Sequence, residues 1–425
     1  MFVVDLMHEF ELGVWKSTFI HILRVLNASA PGGKLLAELN LQFCKTPTFG
    51  TDTIWRFSNN VSQMKKLAAR DFEDLLQDII PAVDGLLHEP HNSMILTLVY
   101  RLAEWHALAK LRIHTKHTLA CLEKSTTAIE LAHRIIKRLY ARTNKINAAK
   151  YIAKQERRQT CLRQAREASK AHQLRKHSHH VGFSENDTLP YTDVDLHHHI
   201  SNSMRYGHNL FSFIRDPPND PSKKDFIPKL KTHLLGRLLN LDFDGDEAIF
   251  TNEERNSICI LEDRIYSSKI LRVNYTTYDM RRGQDTMNPC THCDVMVLSR
   301  ETGPKVHPFW YAHVLGVFHA RVLHTGPQSQ SHSIQHMEFL WVRWFGIEPG
   351  YAYGPSKARL PKVGFVPEDD PNAFGFLDPS LVLRGCHLVP AFTNGRTSDL
   401  LTTQAPSAAQ PPNETDDWTN FFVIM

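Results

Sequence analysis

The chain has 425 residues, 42% of them hydrophobic and 22% charged, with a formal net charge of +4 at pH 7. That length accommodates two or three domains, and the balance of apolar and charged residues excludes a wholly disordered or fibrous chain. No run approaches about 18 consecutive apolar residues, which argues against a membrane-spanning helix, and seven cysteines without framework spacing read as reduced thiols of an intracellular protein.

In chain order, Phe2, Val3 and Val4 read as a short buried strand that runs straight into a helix, as though the sequence began inside a domain. Asp5, Glu9 and Glu11 take the place of the basic region that a signal peptide carries. Phe10, Val14, Phe19, Ile22, Leu23 and Leu26 recur at helical spacing, and Ala30 to Gly33 (APGG) ends that helix. The same pattern continues over 71–87, with Pro81 a kink or boundary, and then over 93–112 and 118–140.

From Arg134 to Lys176, fourteen Lys and Arg stand against only Glu156 and Glu167. Arg134, Lys137, Arg138, Lys150, Lys154, Arg157, Arg158, Arg163, Arg166 and Lys170 fall among Ala and Gln, good helix formers. A solvated helix face would have this composition too. Cations at this density also suit a phosphate backbone, where each neutralised phosphate releases counterions. Residues 177–225 are polar, rich in His, Asp and Pro, and read as an irregular linker. A helix over 228–240 follows. Beyond Ile258, runs rich in Val, Tyr, Phe and Trp, separated by Gly, Pro and Ser, predict short strands and a small barrel. From Thr393 onward, Ser, Thr and Pro predict a disordered tail.

Several local patterns carry possible chemistry. Asp5 at a strand end with His8 three residues later is where a hydrolytic metal site is often built, although on spacing alone a helix N-cap is the better reading of Asp5. Asp242, Asp244 and Asp246 resemble the start of a calcium loop with Glu253 at its twelfth position, but Glu247 stands where the turn needs Gly. Cys290 and Cys293 form a lone CxxC without a second ligand pair, so the sequence calls for no bound metal. Trp310, Tyr311 and the stretch Phe339 to Phe345 read as barrel core with alternate residues facing inward, or as an exposed aromatic cage.

The stretch DLMHEFELGVWKSTFIHILRVL resembles the fungal (basidiomycete) branch of the CACTA, or En/Spm-like, DNA transposases, including the Plavaka-type elements. The likeness continues through PTFGTDTIWRFSNNVSQMKKLAARDFEDLLQ, WHALAKLRIHT, ELAHRIIKRLYARTNK, DLHHHISNSMR, DFIPKLKTHLLGRLLNLDFDGD and FLWVRWFG, up to about residue 390. The resemblance implies an RNase H-like nuclease with an Asp/Asp/Glu triad and Mg2+. It implies that Asp5 and His8 match the C/D-x-x-H signature, with Glu130 a carrier of the third acid. Relatives place the first two acids upstream of this block, and they place the Glu130 block well downstream of WHALAKLR. The chain therefore reads as truncated, with an internal deletion around 118–130. Two-metal phosphoryl transfer needs several carboxylates converging on two ions, and one surviving acid does not supply them.

The expected architecture is α+β: a mostly helical remnant of an RNase H-like core (1–133), a basic helix (134–180), an irregular linker (181–227), a helix and acidic turn (228–257), a small β-barrel-like domain (258–392) and a disordered tail (393–425). The expected role is that of a nuclear, transposase-derived protein, catalytically incomplete, with residual non-specific DNA binding, no cofactor and no membrane association. The alternative is a non-enzymatic protein- or chromatin-binding module carried by the barrel.

Overall fold

A computed structural model describes residues 6–50, 54, 56–57, 60–63, 68–127, 197–241, 249–291, 293–301, 306–402, 406–411 and 414–424. Residues 1–111 and 191–425 form one compact unit and residues 112–190 a second. The strand expected at Phe2 to Val4 lies outside the described residues. Among those residues no helix is long and apolar enough to cross a membrane.

In the first unit, Leu6–Trp15 is π-helical and leads into α1 (Lys16–Ser29), followed by α2 (Lys34–Lys45), α3 (Ala69–Val83) and α4 (His91–Ala109). Phe19, Ile22 and Leu26 of α1 are buried, as their spacing predicts. Val14 is exposed and Trp15 fully buried instead, because the wider π turn displaces the apolar stripe. The Trp15 indole Nε1 donates to the Phe72 carbonyl at 2.6 Å, tying the start of the chain to α3. Pro81 lies two residues before α3 ends.

The segment expected to be an irregular linker carries β1 (His198–Ile200), β2 (Gly207–Asn209) and α5 (Leu210–Arg215). Asn209 caps α5 by accepting from the Phe211 and Ser212 amides. Helices α6 (Phe226–Leu238) and α7 (Asn252–Asn256) follow, the latter opened by a reciprocal Thr251–Glu254 capping box.

The sheet region begins with β3 (Ile258–Ile260), β4 (Arg264–Ser268), β5 (Leu271–Thr276), β6 (Arg282–Met287) and β7 (Asp294–Leu298). Two long strands, β8 (Phe309–His324) and β9 (Gln335–Ile347), form its antiparallel spine. The rest are β10 (Lys362–Phe365), β11 (Phe374–Leu377), β12 (Val382–Gly385), β13 (His387–Pro390), β14 (Arg396–Thr397), β15 (Asp417–Trp418) and β16 (Phe421–Ile424). The main path runs β12-β7-β8-β9-β10-β16-β13, and β1-β5-β6 make a separate three-stranded sheet. A bulge at Leu315 shifts the β8–β9 register. The next residue, Gly316, is packed so tightly under the Phe318 ring that a Cβ has no room.

The strands do not close into a barrel among the described residues, which corrects the sequence expectation. The physical reason lies at the two ends of the path. At β12, His197 Nε2 donates to the Val382 carbonyl at 2.7 Å and Asp285 Oδ2 accepts from the Gly385 amide at 3.0 Å, so side chains satisfy the edge where a barrel would place a strand. At β13, α3 covers the end, and His387 Nε2 lies 3.0 Å from Asp78 Oδ1. Nor do alternate residues of β9 face solvent. Phe339 and Trp341 pack beneath α6, while Leu340 and Val342 pack toward Val273 and Val295. The expected disordered tail is likewise corrected, since 396–424 contain β14 to β16 and Phe422 and Val423 are buried.

Of the second unit, residues 112–127 are described, with a helix over 116–127. Thr115 opens it: the Thr118 amide donates to Thr115 Oγ1 at 3.3 Å and the Thr115 amide donates to Thr118 Oγ1 at 2.9 Å.

Candidate functional site

Four charged or titratable residues from separate segments of the first 111 residues meet in one cluster. Glu11 projects from the π-helical segment, His106 lies in the last turn of α4 and Lys110 is the C-cap of that helix, at i and i+4, and Glu73 comes from α3. Side chains at i and i+4 share a helix face, which explains how WHALAK presents both an imidazole and an ammonium to one acid. Gly13 allows the π winding: a Cβ there would stand 3.0 Å from the His8 carbonyl oxygen, one π turn earlier. Short π segments recur at functional sites, because they redirect one side chain without ending the helix.

Glu11 Oε1 lies 3.0 Å from His106 Nε2 and 3.5 Å from Lys110 Nζ, and Lys110 Nζ lies 2.6 Å from Glu73 Oε1. The inner pair, Glu11 and His106, is buried, whereas Lys110 and Glu73 reach the rim. Phe10 stacks on the His106 ring at 5.1 Å and 16°, shielding it further. Burial holds the His106 pKa below its usual value, more than its hydrogen bond to Glu11 raises it. His106 is therefore a neutral donor at pH 7, and Lys110 supplies the positive charge between the two carboxylates.

This donor set does not fit Mg2+. The Lys110 ammonium occupies the space where the two acids converge, and among the described residues no three His, Cys, Asp or Glu gather in metal-holding geometry. The arrangement can orient an imidazole and neutralise two acids; no step through a metal follows from it.

Of the residues singled out in the sequence, Asp5 and Glu130 lie outside the described residues, as do all ten cations from Arg134 to Lys170. His8 is exposed on the first turn of the π-helical segment. Residues 242–248 of the calcium-like loop and His292 of the CxxC stretch are also outside the described residues. Cys293 is buried, which raises its thiol pKa well above the usual value, and Cys290 is exposed. Glu11, Glu73, His106 and Lys110 were missed in the sequence. Glu11 did leave a signal, an acid one residue after buried Phe10 on an otherwise apolar face. Its partner His106 is 95 residues away, a distance no local pattern spans. No family model, no curated protein and no solved structure matches this chain.

Proposed function

We propose that this chain is derived from a CACTA-like transposase and acts in the nucleus as a DNA-backbone binder that no longer cuts. The observation that carries the reading is the segment from Arg134 to Lys176, with fourteen cations against two acids. Such a segment either bears its own repulsion or meets a polyanion, and duplex DNA offers one negative charge per ~1.7 Å of axis. The RNase H-like ancestry rests on the sequence blocks quoted above. The absence of cleavage is supported by the Glu11 cluster, in which Lys110 and His106 engage the acids beside the transposase-like signature. Phosphate contacts carry no base information, so affinity is independent of sequence.

The test is a titration of the full chain with two duplexes of equal length and unrelated sequence, alongside incubation of supercoiled plasmid with Mg2+ or Mn2+. Equal affinity for both duplexes and an intact plasmid are expected. Nicking that disappears in both Asp5→Ala and Glu130→Ala would show a working acid site and overturn the reading.

A further inference from the structure

A groove of ≈ 1480 Å³ lies along the sheet, with Trp310, Trp344, Tyr351 and Tyr353 among its lining residues. Small-molecule pockets are usually about 300–1,000 Å³, so its size suits a length of chain better than a metabolite. At one wall, His307 bridges two phenols: its Nδ1 lies 2.9 Å from Tyr353 Oη and its Nε2 2.7 Å from Tyr311 Oη. Burial lowers the imidazole pKa and raises those of both tyrosines, so all three groups are neutral at pH 7.

The proton count then fixes the polarity of this chain. Two O–H groups and one N–H group supply three protons, and the two hydrogen bonds use two of them. Tyr311 is 1% exposed. Were it only an acceptor, its own hydroxyl proton would be left unpaired in the core, the costly case for a buried donor. Tyr311 therefore donates to Nε2, His307 Nδ1–H donates to Tyr353 Oη, and the spare proton is on the partly exposed Tyr353 hydroxyl in the groove. An oriented donor of this kind calls for an acceptor such as a peptide carbonyl.

Charge decides what else the ligand carries. Asp225, Glu301 and Asp370 line the groove and have no ion pair among the described residues. Of the lining cations, Lys229 donates to the Pro371 and Phe374 carbonyls and Arg255 to the Phe250 carbonyl, leaving Lys357 at the rim. The Tyr351 ring already meets a cation of the chain itself, Lys362 Nζ at 4.8 Å from its centroid, and aromatic rings that line one groove with carboxylates favour further Lys and Arg side chains.

We propose that this groove is a binding site for an extended cationic peptide, whose Lys or Arg heads lie over the aromatic rings and near the three carboxylates while one backbone carbonyl accepts from Tyr353. Its ligand is opposite in charge to the polyanion proposed above for the segment from Arg134 to Lys176.

The experiment is fluorescence anisotropy on the full chain with three labelled ten-residue peptides: alternating Lys and Ala, its Gln-for-Lys counterpart, and a neutral proline-rich peptide. The Lys peptide is expected to bind at least about tenfold more tightly than either neutral one. Tyr353→Phe, which removes the spare donor together with the acceptor of the His307 Nδ1–H bond, should weaken it about fivefold, the size of one net hydrogen bond. Asp370→Asn, at an exposed position, should weaken it comparably and flatten its salt dependence. A thermal melt checks that each variant is folded, and Asp370→Asn carries the test if Tyr353→Phe is not. Equal binding of a neutral peptide, unchanged affinity in the folded variants, or no binding of the Lys peptide would overturn the proposal.

Discussion

Two buried ionic arrangements, one in the helices and one in the sheet, use charge in different ways. In the helices, Glu11 and His106 are sealed but Lys110 and Glu73 lie at the rim, so water and salt reach half the network. In the sheet, Arg343 is 0% exposed and bonds Asp417 Oδ2 at 2.8 Å, with its guanidinium 3.9 Å from the Phe365 ring centroid. The first arrangement gathers Glu11, Glu73, His106 and Lys110 around a redirected helix. The second pins β15 of the C-terminal stretch to the central strand β9. A half-open network tolerates substitution, whereas a fully desolvated pair is costly to break on one side.

The largest expected effect follows directly. Arg343→Ala strands Asp417 in the core and should cost about 3–5 kcal/mol, read as a lowered denaturation midpoint. Replacing both partners with apolar residues should cost less than Arg343→Ala alone. If the double variant is the worse one, the clasp contributes more than the relief of an unpaired charge.

The link between the two regions is next in size. His387→Ala removes the partner of buried Asp78, and about 1–3 kcal/mol should be lost. Asp78→Asn keeps an oxygen acceptor at the same place and should be milder. Helices and sheet belong to one unit, so unfolding followed by tryptophan fluorescence and by circular dichroism should give one coincident transition in wild type. Separate transitions would show the helices and strands to be independent.

At the helical cluster, Glu11→Gln should cost about 1–2 kcal/mol, since the amide oxygen still accepts from His106 while Lys110 loses only one of its two acids. High salt should shrink that difference but leave the Arg343→Ala loss unchanged. Equal salt sensitivity in both would erase the contrast drawn above.

The smallest expected effect is with pH. Burial lowers the pKa of His21, His106, His307, His319 and His324. A lowered folded pKa means that the unfolded chain binds more protons, so stability is full above the ordinary histidine value and falls as pH drops below about 6.5. Asp78 and Asp285, raised by burial, act in the opposite sense, adding stability as pH falls, but they are two acids against five histidines. Denaturation midpoints at pH 7.5 and 5.5 should therefore differ, with the acidic one lower; a higher midpoint at pH 5.5 would reverse the sign.

Much of the helical region was legible. Phe19, Ile22 and Leu26 keep a 3.6-residue period, and 93–112 lies close to α4. The strands β8 and β9 were visible as aromatic and β-branched runs. Their burial on both faces was not, because it depends on α6 and on β5 and β7 arriving from elsewhere in the chain. Barrel closure was misread because His197 and Asp285 satisfy the β12 edge, and side-chain caps on a strand leave no periodicity to detect. The tail misled through composition: Ser, Thr and Pro surround Phe421 to Ile424, four residues that pair with β13. The π-helical segment was read as ordinary helix, since its extra residue per turn falsifies a 3.6-residue count just where Glu11 is aimed inward.

The proposed binding of the DNA phosphate backbone is open to a direct test through its salt dependence. Wild type and a variant with Arg157, Arg158, Arg163 and Arg166 replaced by Ala are titrated with one duplex at several salt concentrations. If all four cations contact phosphates, the slope of log affinity against log salt should be smaller in the variant by roughly 3 to 4 units. Equal affinities and equal slopes would show that the segment is only a solvated face, and would contradict the account.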